Sequence, residues 1–306
     1  MKHAGLGLAA VVVMTLGMAQ TALAANARSW VSNSGSDSNP CTIASPCKTF
    51  QRAVDNTSAG GEVDVLNAGE YGPLNITKAI TIDGGNLAYI QAAAAMQAGV
   101  LVHASSSDSV AIRNLSIGAL SGSAIYGISW YAGAVLSLEN VSVFGSGTGI
   151  SAVASTSVAG GPYLVARNVS IRQTAGAGLA LQGTGTTVMN AVLDHVAIDV
   201  VSAGNGINVT TGRAVLTHCS VTHALYMAVE AAGGSQVDVA DSTFAFAGNG
   251  LFATGAGTAI RVAGSSIHDT QAAVGNSYGG QILSFGTNRI AGNAGGESPN
   301  GSVALK

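Results

Sequence analysis

Charge is what this chain has least of. Only 9% of its 306 residues are Asp, Glu, Lys or Arg, and the formal net charge is −3. A protein that neutralises nucleic-acid phosphates needs a basic stripe, and none is present, so no nucleic-acid partner is expected. Aromatic residues are 5% and prolines number five. There are three cysteines. Past the first two dozen residues there is no uninterrupted apolar run. Residues 87–102 come closest, and Gln91 and Gln97 break them. The mean hydropathy of +0.40 therefore reflects a core rich in Ala, Val and Ile, and no membrane span is expected in the mature chain. Low charge with 42 glycines also fits a linker, but the regular Val and Ile spacing argues against disorder.

The chain opens with Lys2, an apolar run from about Leu6 to Met18, and Ala22-Leu23-Ala24. This pattern predicts a secretory signal peptide over 1–24, cleaved after Ala24, and hence a secreted, periplasmic or cell-surface protein. Export agrees with the spacing of Cys41 and Cys47 in one loop, which predicts a disulfide. Cys219 falls at a position held elsewhere by Leu115, Val141, Val169 and Val196, and is read as core.

Those four residues belong to a repeat. The segments VAIRNLSI, LSLENVSV, LVARNVSI, AVLDHVAI, AVLTHCSV, VDVADSTF and IRVAGSSI centre on Asn114, Asn140, Asn168, His195, His218, Asp241 and Gly264. From His195 to Gly264 the centres recur at one unvarying interval. A fixed period in the low twenties marks a solenoid, whose units bury their apolar faces only against neighbours. Two residues before these centres, and before position 287 at the next interval, stand Ile112, Leu138, Ala166, Leu193, Leu216, Val239, Val262 and Phe285. Three after each stand Ile117, Val143, Ile171, Ile198, Val221, Phe244, Ile267 and Ile290. Both columns read as inward-facing. The centres suit a sharp corner, where Asn tolerates left-handed backbone and amides hydrogen-bond rung to rung. The N-x-S/T matches at 114, 140, 168 and 208 follow from the repeat and are not read as glycosylation sites.

Three short strands per repeat, as around Asp241, predict an all-β, single-domain, right-handed parallel β-helix over 62–295. A cap over 25–61 precedes it. Ser45-Pro46, with Phe50, Ala53 and Val54 at helical spacing, predicts a capping helix over about 47–57. The glycine-rich tail, 296–306, is expected to lie loose over the last rung.

These repeats, with the opening WVSNSGSDSNPCTIASPCKTFQRAVDNTSAGGEVDVLNAGEYG, resemble the pectin-lyase-like superfamily of secreted right-handed β-helices. The resemblance covers about 28–290 and implies the fold; the superfamily spans lyases, hydrolases, esterases, tailspikes and adhesins. The motif strings of two of its enzyme groups are absent. None of Pro40, Pro46, Pro73, Pro162 and Pro299 has Arg two residues before it, so R-x-P-x-x-R is missing. N-T-D, G-H-G and R-I-K are also missing.

Candidate site residues remain. Superfamily enzymes work on the outer face of the strand after the third corner, which here carries Ser129, Ser151, Ala180, Asn208, Glu230 and Phe252. Glu230 is its one carboxylate, with His223 nearby in sequence. One carboxylate and one imidazole match neither the two-carboxylate pattern of glycoside hydrolysis nor a base with a uronate-neutralising group. Tyr126, Trp130 and Tyr131 cluster where the spacing stretches, between Asn114 and Asn140, and either stack on sugars or plug a wider rung. With Asn208 they form the expected binding set. Arg113, Glu139, Arg167 and Asp194 alternate in sign along an outward column, as Asp238 and Arg261 do in another, and are read as stacked surface ion pairs. The outward column Ser116, Ser142, Ser170, Ala197, Ser220, Thr243 and Ser266 offers a flat hydroxyl array that either binds a repeating surface such as a polysaccharide or ice or, more simply, suits an exposed sheet. His195, His218 and Asp241 are ligand types, but they occupy the Asn slot and are read as corner-filling, so no metal and no cofactor are expected. The reading is a non-catalytic surface protein that contacts polysaccharide; the alternative is a polysaccharide lyase or glycoside hydrolase with a non-standard site. A purely structural spacer is a third reading.

Overall fold

The computed structural model describes residues 25–92, 96–119, 125–154 and 158–304. The expected signal peptide lies outside them. The chain winds into a parallel β-solenoid of about nine turns. Each later turn has three strands, for example Gln236–Ala240, Thr243–Ala245 and Asn249–Thr254. We call these the first, second and third faces. First and second faces belong to one 17-stranded sheet and the third to a 9-stranded sheet, with every pairing between named strands parallel. The register follows the sequence period: Val215 pairs Asp238, Asp238 pairs Arg261, and Glu230 pairs Phe252.

The two apolar columns point inward as expected. From Ile112 to Val262 and from Ile117 to Ile267 every member is buried. The last rung departs from the expectation: Val262 pairs Ser284, so Phe285 stands one residue beyond the first column, while Ile290 continues the second and is partly open. Each such Val, Leu or Ile contributes about 1.5–3 kcal/mol by leaving water. A third inward column, at the start of the third face, is Gly127, Gly149, Gly178 and Gly206. A Cβ at these positions would overlap the side chains of Val143, Ile171, Ile198 and Val221 respectively. The glycines are thus the complement of the β-branched column: the branch fills the space that the missing Cβ leaves.

All seven first-corner residues have left-handed backbone, with φ between 50° and 58°. The amide ladder forms and extends one rung further down than expected. Asn140 Nδ2 donates to Asn114 Oδ1 (3.0 Å), and Asn114 Nδ2 donates to Asp83 Oδ1 (2.9 Å). In the early turns single strands such as Val135–Phe144 and Met189–Val201 run through this corner. In later turns the strand breaks there, for a local reason. The N–H of Cys219 bonds Ser242 Oγ, that of Ser242 bonds Ser265 Oγ, and that of Ser265 bonds Asn288 Oδ1, at 3.0–3.1 Å. A side chain from the next rung replaces the backbone carbonyl. Cys219 itself is buried, and its thiol is pushed up to about 11 by desolvation.

Four expectations need correction. The capping helix is Phe50–Asn56, and its N-cap is Thr49, whose Oγ1 accepts from Arg52 N–H (3.2 Å). Ser45 and Pro46 belong instead to the loop closed by the Cys41–Cys47 disulfide, which the structure contains, with Cα atoms 4.6 Å apart. The tail is not loose: Gly301–Ser302 pairs with Gln281–Ser284, and Asn300 Oδ1 accepts from Ile282 N–H (2.6 Å). The charge column does not pair up its own length. Arg113 turns down to Asp83 (2.7 Å) and Glu62, and among the described residues Glu139 and Arg167 form no ion pair. Asp238 and Arg261 do pair, at 3.4 Å. No helix among the described residues is long and apolar enough to cross a membrane.

Two substitutions test this packing in opposite directions. Gly178→Ala pushes a methyl into Ile198 and should lower stability by about 1–3 kcal/mol. Val200 is a β-branched residue held at φ 58° and 42% exposed. Val200→Asn should raise stability by roughly 1 kcal/mol, because Asn tolerates the left-handed region. Equilibrium denaturant melts read both; unchanged midpoints would contradict the packing account.

Candidate functional site

The second corner carries its own column. Gly145, Gln173, Val200, His223, Phe246, Asp269 and Gly292 all have positive φ, and from Val200 onward they recur at the same interval as the first corner. Five of these residues bear a side chain in a conformation that costs on the order of 1 kcal/mol each. Such strain is retained where the surrounding structure over-determines it.

The upper rungs of this column line an open groove of about 580 Å³, bounded by Ser202, His223, Leu225, Phe246, Asp269 and Gln271. Its apolar floor is unusually exposed: Phe246 is 51% open and Leu225 53%. The His223 ring stacks almost flat on Phe246, with centroids 5.0 Å apart and planes at 11°. His268 meets the same ring edge-on at 6.3 Å and 83°. Each imidazole is oriented by a carboxylate: His223 Nδ1 lies 2.9 Å from Asp199 Oδ1, and His268 Nδ1 lies 2.7 Å from Asp269 Oδ2. Thr222 Oγ1 donates to Asp199 Oδ1 at 2.7 Å. No Lys or Arg is among the described residues that line the groove.

These contacts hold the Asp199 carboxyl below the usual carboxylate range. The Thr222 hydroxyl is the largest cause, opposed by partial desolvation and assisted by His223. Asp199 therefore favours the folded state at neutral pH, and this contribution is lost as pH falls through its lowered value.

The sequence-derived candidates fall in different places. His223 lines the groove. Glu230 does not; it sits on the third face, between Asn208 and Phe252 in register, and its Oε2 accepts from Asn205 Nδ2 (2.5 Å). The structure thus does not gather His223 and Glu230 in one groove. Asn208 is part-buried, its Oδ1 accepting a long bond from Thr210 Oγ1 (3.4 Å). Trp130 is corrected as a stacking platform: it is 2% exposed, points inward with Ile128 and Ala132, and donates Nε1–H to Ala132 O (3.0 Å). It plugs the wide rung. Tyr131 is 37% exposed and Tyr126 part-buried; burial, and then the neighbouring Tyr131 phenol, raises Tyr126 above the ordinary phenol range. The outward strand is also less open than expected, since Ser129 and Ser151 are buried. Sequence reasoning missed Phe246, Asp199, Asp269 and Leu225. Recurrence at the repeat interval was the available signal.

No family model matches this chain, and no curated protein matches it. Solved structures do. An alginate lyase from Paenibacillus sp. str. FPU-7 superposes with a TM-score of 0.55 at 15% identity, covering 87% of this chain and 97% of that one. A rhamnogalacturonan lyase gives 0.50 at 12% identity, covering 84% and 75%. A pectate lyase gives 0.50 at 13% identity, covering 87% and 73%. At these identities the likeness establishes the fold alone, a right-handed parallel β-helix.

Thr222→Val removes the strongest contact to Asp199 and should raise that carboxyl's pKa toward the ordinary range. A pH titration of the Asp199 side-chain carboxyl by NMR reads it; an unmoved titration would contradict the assignment of cause.

Proposed function

We propose that this pectin-lyase-like β-helix is an exported, non-catalytic protein that holds a polysaccharide in the groove along its second corner. The observation that carries this reading is the half-exposed Phe246 ring, set between two imidazoles in an open channel. A flat apolar ring with polar neighbours suits the C–H face of a pyranose, with Ser202, Asp269 and Gln271 placed for its hydroxyls. A solenoid corner repeats along its axis, as a glycan repeats along its chain. The structural neighbours are named for action on polysaccharides, which supports the ligand class. The Cys41–Cys47 disulfide supports an oxidising compartment.

The groove also narrows the glycan. Asp269 lines it, Asp199 lies against its His223, and no Lys or Arg is among the described residues that line it. A uronate chain would meet like charge there, so the ligand is a neutral or cationic polysaccharide.

A second reading has one observation in its favour. The Asp199–His223 contact orients an imidazole on the groove wall, as a general base would need. Under that reading His223 serves β-elimination and Glu230 has no part.

Affinity electrophoresis of the mature protein through β-glucan, mannan, chitosan, pectate and alginate tests the binding reading. Retardation by a neutral or cationic polymer is expected, weakened about five- to tenfold by Phe246→Ala. Retardation by pectate or alginate alone, or indifference to Phe246→Ala, would overturn it. Ultraviolet absorbance of the same mixtures reports unsaturated products. A rising signal abolished by His223→Ala would establish the lyase reading instead.

A further inference from the structure

The first corner carries a chemistry that the groove does not explain. In the lower turns its column is bonded amide to amide, Asn140 onto Asn114. At His195 and His218 that pattern is abandoned. The imidazoles stack with centroids 4.7 Å apart, yet both turn Nδ1 onto one carboxylate oxygen outside the column: Asp194 Oδ1, at 2.9 Å from His195 and 3.1 Å from His218. Thr217 Oγ1 donates to the same oxygen at 3.1 Å and fixes its position. The carboxylate is Asp194, one residue before the corner, and not Asp241, the next residue of the column, all three column residues having been read as corner-filling. Asp241 instead lies beneath Gly264, where a Cβ would strike its Oδ1.

We propose that Asp194, His195 and His218 form a binding site for a divalent transition metal of the zinc class. One ligand atom from each residue lies within 4.8 Å of the others. Two imidazoles and a carboxylate are the nitrogen and oxygen donors that zinc takes, at about 2.0–2.2 Å. Tetrahedral coordination at that length sets donors about 3.3 Å apart. The Nδ1–Oδ1 distances of 2.9 and 3.1 Å therefore need to open by only a few tenths of an ångström. The rings are free to turn, since the two histidine side chains are 56% and 53% exposed. No net proton need be released from the imidazoles. A ring that donates Nδ1–H to Asp194 can carry that proton on Nε2 instead, which turns the Nδ1 lone pair to the ion. The remaining coordination position is open to water, on the solvent side. Thr217 acts through Asp194 as the positioning residue. The solenoid supplies the geometry: one step of the repeat sets His218 directly over His195.

The test uses the full mature chain without an affinity tag. Calorimetric titration with zinc chloride should give one ion per chain. Replacement by the column's own residue, in His195→Asn or His218→Asn, preserves the left-handed corner and should weaken binding at least about tenfold. Histidine side-chain 15N spectra provide an independent readout. On zinc addition the Nδ1 signals of His195 and His218 should move, while those of His103, His223 and His268 stay. Undiminished binding in the double Asn variant, or shifts confined to His223 and His268, would overturn the proposal, as would the absence of any zinc-dependent heat.

Discussion

The constraint on which everything else depends is in-register stacking. Parallel pairing places each residue about 4.8 Å above its equivalent in the previous turn. Every position in the turn thus becomes a column, and every column must solve one problem along its whole length. Inward columns must exclude water, which Val, Leu and Ile do. The glycine column must leave room for the branches facing it, as Gly178 does for Ile198. Corner columns must adopt left-handed backbone at each turn. The period is constant from His195 to Gly264, and the longer turns before it keep the same columns in register, pairing Ile112 with Leu138 and Leu138 with Ala166.

Function enters where a column departs from its cheapest solution. Asn or Gly would satisfy both corners. At the second corner the chain instead places Val200, His223, Phe246 and Asp269 in backbone that L side chains rarely adopt. The result is a half-exposed aromatic ring flanked by imidazoles and carboxylates. At the first corner His195 and His218 replace asparagine and converge on Asp194. The two sites lie on different corners of overlapping turns, with His218 and His223 on one turn, so the stack that buries Val196 and Val221 supports both.

What the sequence revealed depended on whether a column had a uniform chemistry. The Asn ladder, the inward Val/Ile columns and the Cys41–Cys47 pair were legible because one residue type recurs or because two cysteines share one loop while Cys219 holds a core position of the repeat. The second corner was not, since Val, His, Phe, Asp and Gly share conformation but no chemistry. Trp130 could have been placed by parity, because it alternates inward with Ile128 and Ala132. The charge column misled for a different reason. A long Arg113 side chain reaches two acidic residues on earlier turns, Asp83 and Glu62, and the local pattern gave no sign of them. The helix began later than Ser45-Pro46 suggested because the disulfide loop takes up those residues and Thr49 is the first free to cap.

The central claim is that the second corner, and not the outer third face, receives a glycan. A crystal structure of the mature protein with a neutral oligosaccharide, a cello- or manno-oligomer of several units, tests it directly. The account places a sugar ring over Phe246, with hydroxyls at Asp269 and Gln271. Ordered sugar along Asn208, Glu230 and Tyr131, with the groove empty, would contradict it.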